Sequence, residues 1–150
     1  MKITVAWIGK TKERAIQALT DEYLKRIGHY AEVAGLALKD EAAILSLASG
    51  ERRQNQNKEK NKLVLLDSRG KQLSSEELAE FLEREQGNAM PLLFAIGGSD
   101  GFGEEARRQA SFTLSLGRMT LPHELARVVL VEQLYRALTI LKRHPYHLGH

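Results

Sequence analysis

The 150 residues and 16.8 kDa of this chain leave room for one compact domain, 1–150, because two halves would each lack an adequate core. A composition of 43% hydrophobic and 27% charged residues is that of an ordinary folded protein, and the absence of cysteine excludes disulfide staples, thiolate metal sites and cysteine nucleophiles. The formal charge of +3 and a pI near 9.2 favour a polyanionic partner without requiring one; with no long apolar run and no signal-peptide layout, the expected address is cytoplasmic and away from membrane.

Lys2 to Gly9 is a β-branched, apolar run closed by glycine, the pattern of a strand buried on both faces. Ala15, Ile16, Leu19, Tyr23, Leu24 and Ile27 then recur at helical steps. A second strand is expected between Glu32 and Leu38, and a helix from Asp40 to Ser49. Glu51 to Lys62 is almost wholly polar, with Arg52, Arg53, Lys58, Lys60 and Lys62 set against Glu51 and Glu59. It reads as a solvated loop or helix face in preference to an RNA-contacting element.

Leu63 to Asp67 reads as a central strand, Ser68-Arg69-Gly70 as the turn after it, and Ser74-Ser75-Glu76-Glu77 as a capping box opening a helix through Leu78, Phe81 and Leu82. Leu92 to Ile96 is another buried strand, running into Gly97-Gly98-Ser99-Asp100-Gly101-Phe102-Gly103. A short helix from Glu104 to Ala110, a short strand around Phe112 to Ser115 and a last helix from about Thr120 to Leu141 complete the order. Strands alternating with helices predict an α/β fold, a mainly parallel sheet flanked by helices. Ligands then belong beyond the carboxyl ends of the strands, at the loops after Gly9, Asp67, Ile96 and Ser115.

Four glycines in seven residues let backbone approach a ligand closely, and a cofactor-contacting loop is the preferred reading over a plain tight turn linking strand to helix. The order fits neither the dinucleotide fingerprint nor a phosphate loop. The last helix carries apolar residues on nearly every side, Leu130, Leu134 and Leu138 among them, so a second chain is expected to cover what one sheet cannot. His123, His144, His147 and His150 suggest a metal, but no H-E-x-x-H is present and no metal is expected. From Gly117 onward five cations (Arg118, Arg127, Arg136, Lys142, Arg143) face two glutamates, and Tyr135 and Tyr146 add stacking groups suited to an RNA base.

Phe94-Ala95-Ile96-Gly97-Gly98, then Leu114 to His123, Glu132-Gln133-Leu134-Tyr135-Arg136-Ala137 and Pro145-Tyr146-His147 together closely resemble the RlmH family. Its members are SPOUT-class methyltransferases that methylate N3 of a pseudouridine in large-subunit (23S) ribosomal RNA with S-adenosylmethionine. Two features depart from the family's pattern: Gly117 stands where serine is more usual, and Leu148-Gly149-His150 extends the usual ending. The resemblance implies a SPOUT fold with a carboxyl-terminal trefoil knot, a homodimer, and ribosomal RNA, in the assembled ribosome, as partner. Carried over by motif, the cofactor site is Leu66, Gly97 and the run Leu116, Gly117, Arg118, Met119, Thr120 and Leu121. Catalytic roles fall to His147, Tyr146 and Arg136: acid-base chemistry for His147, stacking for Tyr146, and charge stabilisation for Arg136 or His147. The competing reading is a non-catalytic ribosome-associated RNA-binding protein that keeps the fold.

Overall fold

The computed structural model describes residues 1–50 and 59–148. The strands are β1 (Lys2–Ile8), β2 (Glu32–Leu38), β3 (Lys62–Gln72), β4 (Leu92–Ile96) and β5 (Phe112–Ser115); the helices are α1 (Arg14–Ile27), α2 (Glu41–Ser49), α3 (Ser75–Gln86), α4 (Glu104–Gln109) and α5 (His123–Leu141). A 3₁₀ turn, Pro145–Leu148, ends the described chain. Much of the polar run, Glu51 to Lys58, lies outside the described residues, as do Gly149 and His150. Of that run Lys62 opens β3 and pairs with Glu85 at 2.6 Å, and Glu59 pairs with Lys2 at 3.2 Å.

The five strands form one sheet in the order β2-β1-β4-β3-β5 with every strand pairing parallel. Side-chain alternation divides the interior in two. Ile3, Val5, Val64, Phe94 and Ile96 point to one face, where α3 and α5 contribute Leu82, Leu130, Leu134 and Leu138. Ala6, Leu63, Leu65, Leu93 and Ala95 point to the other, under Ile44 and Ala48 of α2 and Ala106 of α4. β4 is buried at all five positions, as its uninterrupted Leu-Leu-Phe-Ala-Ile requires.

The capping box is formed as the sequence predicts: Glu77 N donates to Ser74 Oγ at 3.0 Å and Ser74 N donates to Glu77 Oε1 at 2.8 Å. Ser74→Ala is therefore expected to lower stability by about 1 kcal/mol, read as a shift in denaturant midpoint without a change in slope.

Two expectations are corrected. Ser68-Arg69-Gly70 is not a turn ending the strand, because β3 runs on to Gln72. β5 pairs with it on both sides of an irregularity, so that Leu114 is opposite Leu66 and again opposite Lys71. The second correction concerns α5. The chain covers this helix itself, with α1 and α3 on its flanks and the sheet beneath, and Leu130, Leu134 and Leu138 are fully buried. Only Leu125 remains well exposed, at 47%, so apolarity alone gives no argument for a second chain.

Candidate functional site: a cleft at the carboxyl ends of the strands

A cleft of about 360 Å³ opens where β4 and β5 end, beside the irregularity within β3, and falls in the size range of small-molecule sites. Its walls are the segment Leu66–Arg69, the glycine loop Ile96–Phe102, and Leu116 to Leu121 with the first turn of α5. Leu66, Gly97, Leu116, Gly117, Met119, Thr120 and Leu121 line it; Arg118 does not and is exposed. Of the four loops selected from the sequence, the one after Gly9 stays out of the cleft. Its backbone is occupied elsewhere: Gly9 N donates to Leu38 O at 2.9 Å, and Lys12 N and Glu13 N donate to the Glu124 carboxylate at 3.1 and 3.3 Å.

The glycine loop closes on itself, with Gly101 N donating to Gly98 O at 3.0 Å. Gly101 and Gly117 have φ of +71° and +135°, a region that side-chain-bearing residues rarely occupy. A Cβ on either would meet no atom within 4 Å. Glycine backbone without side chains therefore lines two walls of the cleft. Ser115 fixes the second of these walls: its hydroxyl donates to Gly117 O at 2.9 Å and accepts from Gly117 N at 3.2 Å.

Several cleft residues escape a reading of the sequence. Asp67 accepts from Arg69 N at 2.9 Å and from Arg107 Nε at 3.3 Å. Burial pushes its carboxyl up, but the Arg69 amide and the Arg69 and Arg107 guanidiniums outweigh that and hold it below the usual carboxylate range. Arg107 Nη2 also donates to Phe102 O at 2.6 Å, and Gly103 N donates to Glu41 Oε1 at 2.8 Å. An acid ending a buried strand is the only sequence signal here; nothing in the sequence points to Arg107 or Glu41.

The three residues expected to be catalytic gather elsewhere, at the far end of α5. Arg143, at φ 55°, turns the chain so that the 3₁₀ turn folds back along the helix. There Tyr146 Oη donates to Glu132 Oε1 at 3.1 Å, and Arg136 Nε and Nη2 donate to the same oxygen at 3.1 and 2.7 Å. The Arg136 guanidinium lies 5.1 Å from the Tyr146 ring centre, and Tyr135 packs edge-on against that ring at 4.6 Å. Burial, then the Tyr23 hydroxyl and the Glu132 charge, push the Tyr146 phenol above its ordinary value, so it remains a protonated donor. His147 is half-buried, and among the described residues its Nδ1 has no hydrogen-bond partner.

Two of the five late cations are committed inside the protein and are not presented to solvent. Arg136 is held by Glu132, which raises its pKa. Arg127 is 1% exposed, stacked 4.2 Å over Trp7 and donating to Thr11 Oγ1 at 2.8 Å. Burial lowers the pKa of Arg127. Arg118, Lys142 and Arg143 are exposed. Among the described residues no group of three or more His, Asp or Glu side chains is arranged to hold a metal ion, and no helix is long and apolar enough to cross a membrane.

The family model described as "Predicted SPOUT methyltransferase" matches residues 1–147. The ribosomal RNA large subunit methyltransferase H of Koribacter versatilis (strain Ellin345) is 55% identical over 152 residues, with all of both chains covered. The chain belongs to the RlmH family of SPOUT methyltransferases. A family member of the same name from Carboxydothermus hydrogenoformans is 41% identical, covering 98% of this chain and 99% of its own. Among solved structures, the SpoU methyltransferase AviRb from Streptomyces viridochromogenes, in complex with AdoMet, superposes with a TM-score of 0.54 at 14% identity. It is matched over 90% of this chain and 57% of its own. A methylase family protein from Haemophilus influenzae Rd KW20 gives 0.58 at 11% identity, over 96% of this chain and 69% of its own. At such identities the likeness is one of fold, and it is the fold that the SPOUT family has.

Proposed function

We propose that this methyltransferase binds S-adenosylmethionine in the cleft and methylates N3 of a pseudouridine in large-subunit ribosomal RNA, working in the cytoplasm as a homodimer of single-domain chains, 1–150. The observation that carries the reading is the cleft itself: a cofactor-sized space at the strand ends, walled by the glycine loop and the Leu116–Leu121 segment with backbone bare at Gly101 and Gly117. The relatives named above, matched over nearly the whole of both chains at 41% to 55% identity, supply the substrate class.

Bound there, S-adenosylmethionine supplies an activated methyl on sulfur. The chain's own task is to hold the base nitrogen in line behind that methyl and to take up the imide proton masking its lone pair. His147 suits the proton transfer by side-chain type, and its Nδ1 lacks a partner among the described residues. Tyr146 offers a phenol ring to the base. Arg136 acts through Glu132 and the Tyr146 ring, orienting the tail and leaving His147 to meet the charge that develops on the base.

Within one chain the tail does not line the cleft. Glu132 and Arg136, which engage Tyr146, stand six and ten residues beyond cleft-lining Ala126 on the same helix, about 9 and 15 Å along its axis. A two-fold dimer that brings one tail to the partner's cleft removes that gap and supports the homodimer. The trefoil knot of the family belongs to the same proposal; separately, β5, last in sequence, lies against β3 on both sides of its irregularity. There a Cβ on Gly70 would come within 2.6 Å of Thr113 O.

Calorimetry with S-adenosylmethionine, followed by methyl transfer to assembled ribosomes and to free subunits, tests the reading. Binding and turnover are expected together. Binding to ribosomes with neither cofactor affinity nor turnover would favour the non-catalytic alternative.

A further inference from the structure

The glycine loop that walls the cleft has little of its own to fix its shape, yet its carboxyl end is held from two sides. Arg107, on α4, spans two elements with one side chain: Nη2 donates to Phe102 O at 2.6 Å and Nε donates to Asp67 Oδ2 at 3.3 Å. α4 is only six residues long, anchored on the sheet by Ala106, which is fully buried. Asp67 in turn is fixed at the end of the buried part of β3, its side chain 10% exposed and its Oδ1 accepting from Arg69 N. A residue of β3 is thus linked through one guanidinium to the last carbonyl of a loop rich in glycine. From this geometry we infer that Asp67 and Arg107 form a positioning pair, which sets the glycine loop against the Leu66 wall and so fixes how the cofactor sits in the cleft.

The chemistry of the two side chains accounts for their use. A guanidinium is a planar fork with donors in fixed directions, so it reaches a carboxylate and a carbonyl at once, whereas an ammonium satisfies one direction at a time. Its bond to Phe102 O is charge-assisted and short. The Arg69 amide and the two guanidiniums hold the Asp67 carboxyl below the usual carboxylate range against the cost of its burial. Arg69, 66% exposed, also bonds Asp67, but among the described residues its guanidinium makes no hydrogen bond to the glycine loop. Alignment is what such a pair supplies: a displacement of about 1 Å in a methyl-transfer geometry costs on the order of a hundredfold in rate.

The inference rests on the cleft being the S-adenosylmethionine site, and the wild-type protein checks that first. Full-length wild type, Asp67→Asn, Arg107→Met, Arg107→Lys and the double variant Asp67→Asn with Arg107→Met are titrated with S-adenosylmethionine by calorimetry. Their apo melting temperatures and steady-state methyl transfer are measured in parallel. Each single variant is expected to bind about tenfold more weakly, Arg107→Lys failing to rescue. The double variant should be no worse than the weaker single, because the two residues act as one unit. kcat at saturating cofactor should fall as well, while the melting temperature stays within about 3 °C of wild type. Wild type that does not bind would overturn the cofactor reading itself. Wild type that binds, with variants of equal affinity, with additive losses or with losses that follow melting temperature, would overturn the positioning pair.

Discussion

His147→Ala is expected to lower methyl transfer about a hundredfold or more at saturating S-adenosylmethionine, a typical scale for losing acid-base help, while cofactor affinity stays close to wild type. The separation of effects follows from placement. His147 lies in the 3₁₀ turn packed on α5 and is not among the residues lining the cleft of its own chain. Tyr146→Ala should fall similarly, because its ring holds the turn against Tyr135 and its phenol is fixed by Glu132. A mixing experiment extends the test to assembly. A His147→Ala chain and a chain unable to bind cofactor, each inactive alone, should regain about a quarter of wild-type activity after subunit exchange. Half of the re-formed dimers are mixed, and each of those holds one intact site made from two chains. If each chain's site is built from its own tail, mixing restores nothing.

Gly97→Val is expected to abolish S-adenosylmethionine binding in calorimetry, a loss of at least a hundredfold in affinity, with the chain still folded by circular dichroism. Gly97 is buried at the end of β4, where a Cβ would stand 3.1 Å from Gly101 C and 3.2 Å from Gly101 Cα and O. Those are backbone atoms in a closed turn, and two further methyl groups cannot be accommodated without pushing Gly98–Gly101 outward. Gly97→Ala, which needs the loop to yield by only a few tenths of an ångström, should give an intermediate loss. Wild-type affinity in the valine variant would remove the glycine loop from the cofactor site.

Local sequence patterns carry most of the fold because each element here satisfies its own neighbours. The Ser74 capping box, the unbroken apolar β4 and the helical spacing from Ala15 to Ile27 all appear where periodicity and cap chemistry put them. What sequence patterns miss depends on partners distant in sequence. Ser68-Arg69-Gly70 has the composition of a turn, yet β5, some forty residues later, keeps it in the strand. The all-round apolarity of α5 says that it is covered but not by what; α1 and α3 do most of the covering. Asp67 and Arg107 are 40 residues apart, and the chain's four tyrosines, at 23, 30, 135 and 146, become one cluster only when α1 packs on α5. The family's motifs pointed to the segments that wall the cleft, Arg118 excepted, because those segments are contiguous in sequence. The sharing of Glu132 by Arg136 and Tyr146 could not be read from the sequence, because it depends on where the tail folds.

The most direct test is transfer of an isotope-labelled methyl group from S-adenosylmethionine to ribosomes that lack the modification, with the product nucleotide identified by mass spectrometry after digestion of the RNA. The expected result is one labelled pseudouridine per large subunit, methylated at N3, formed by wild type and lost in both Gly97→Val and His147→Ala. Label on a different base or on a ribose, or equal labelling by wild type and the two variants, would contradict the account.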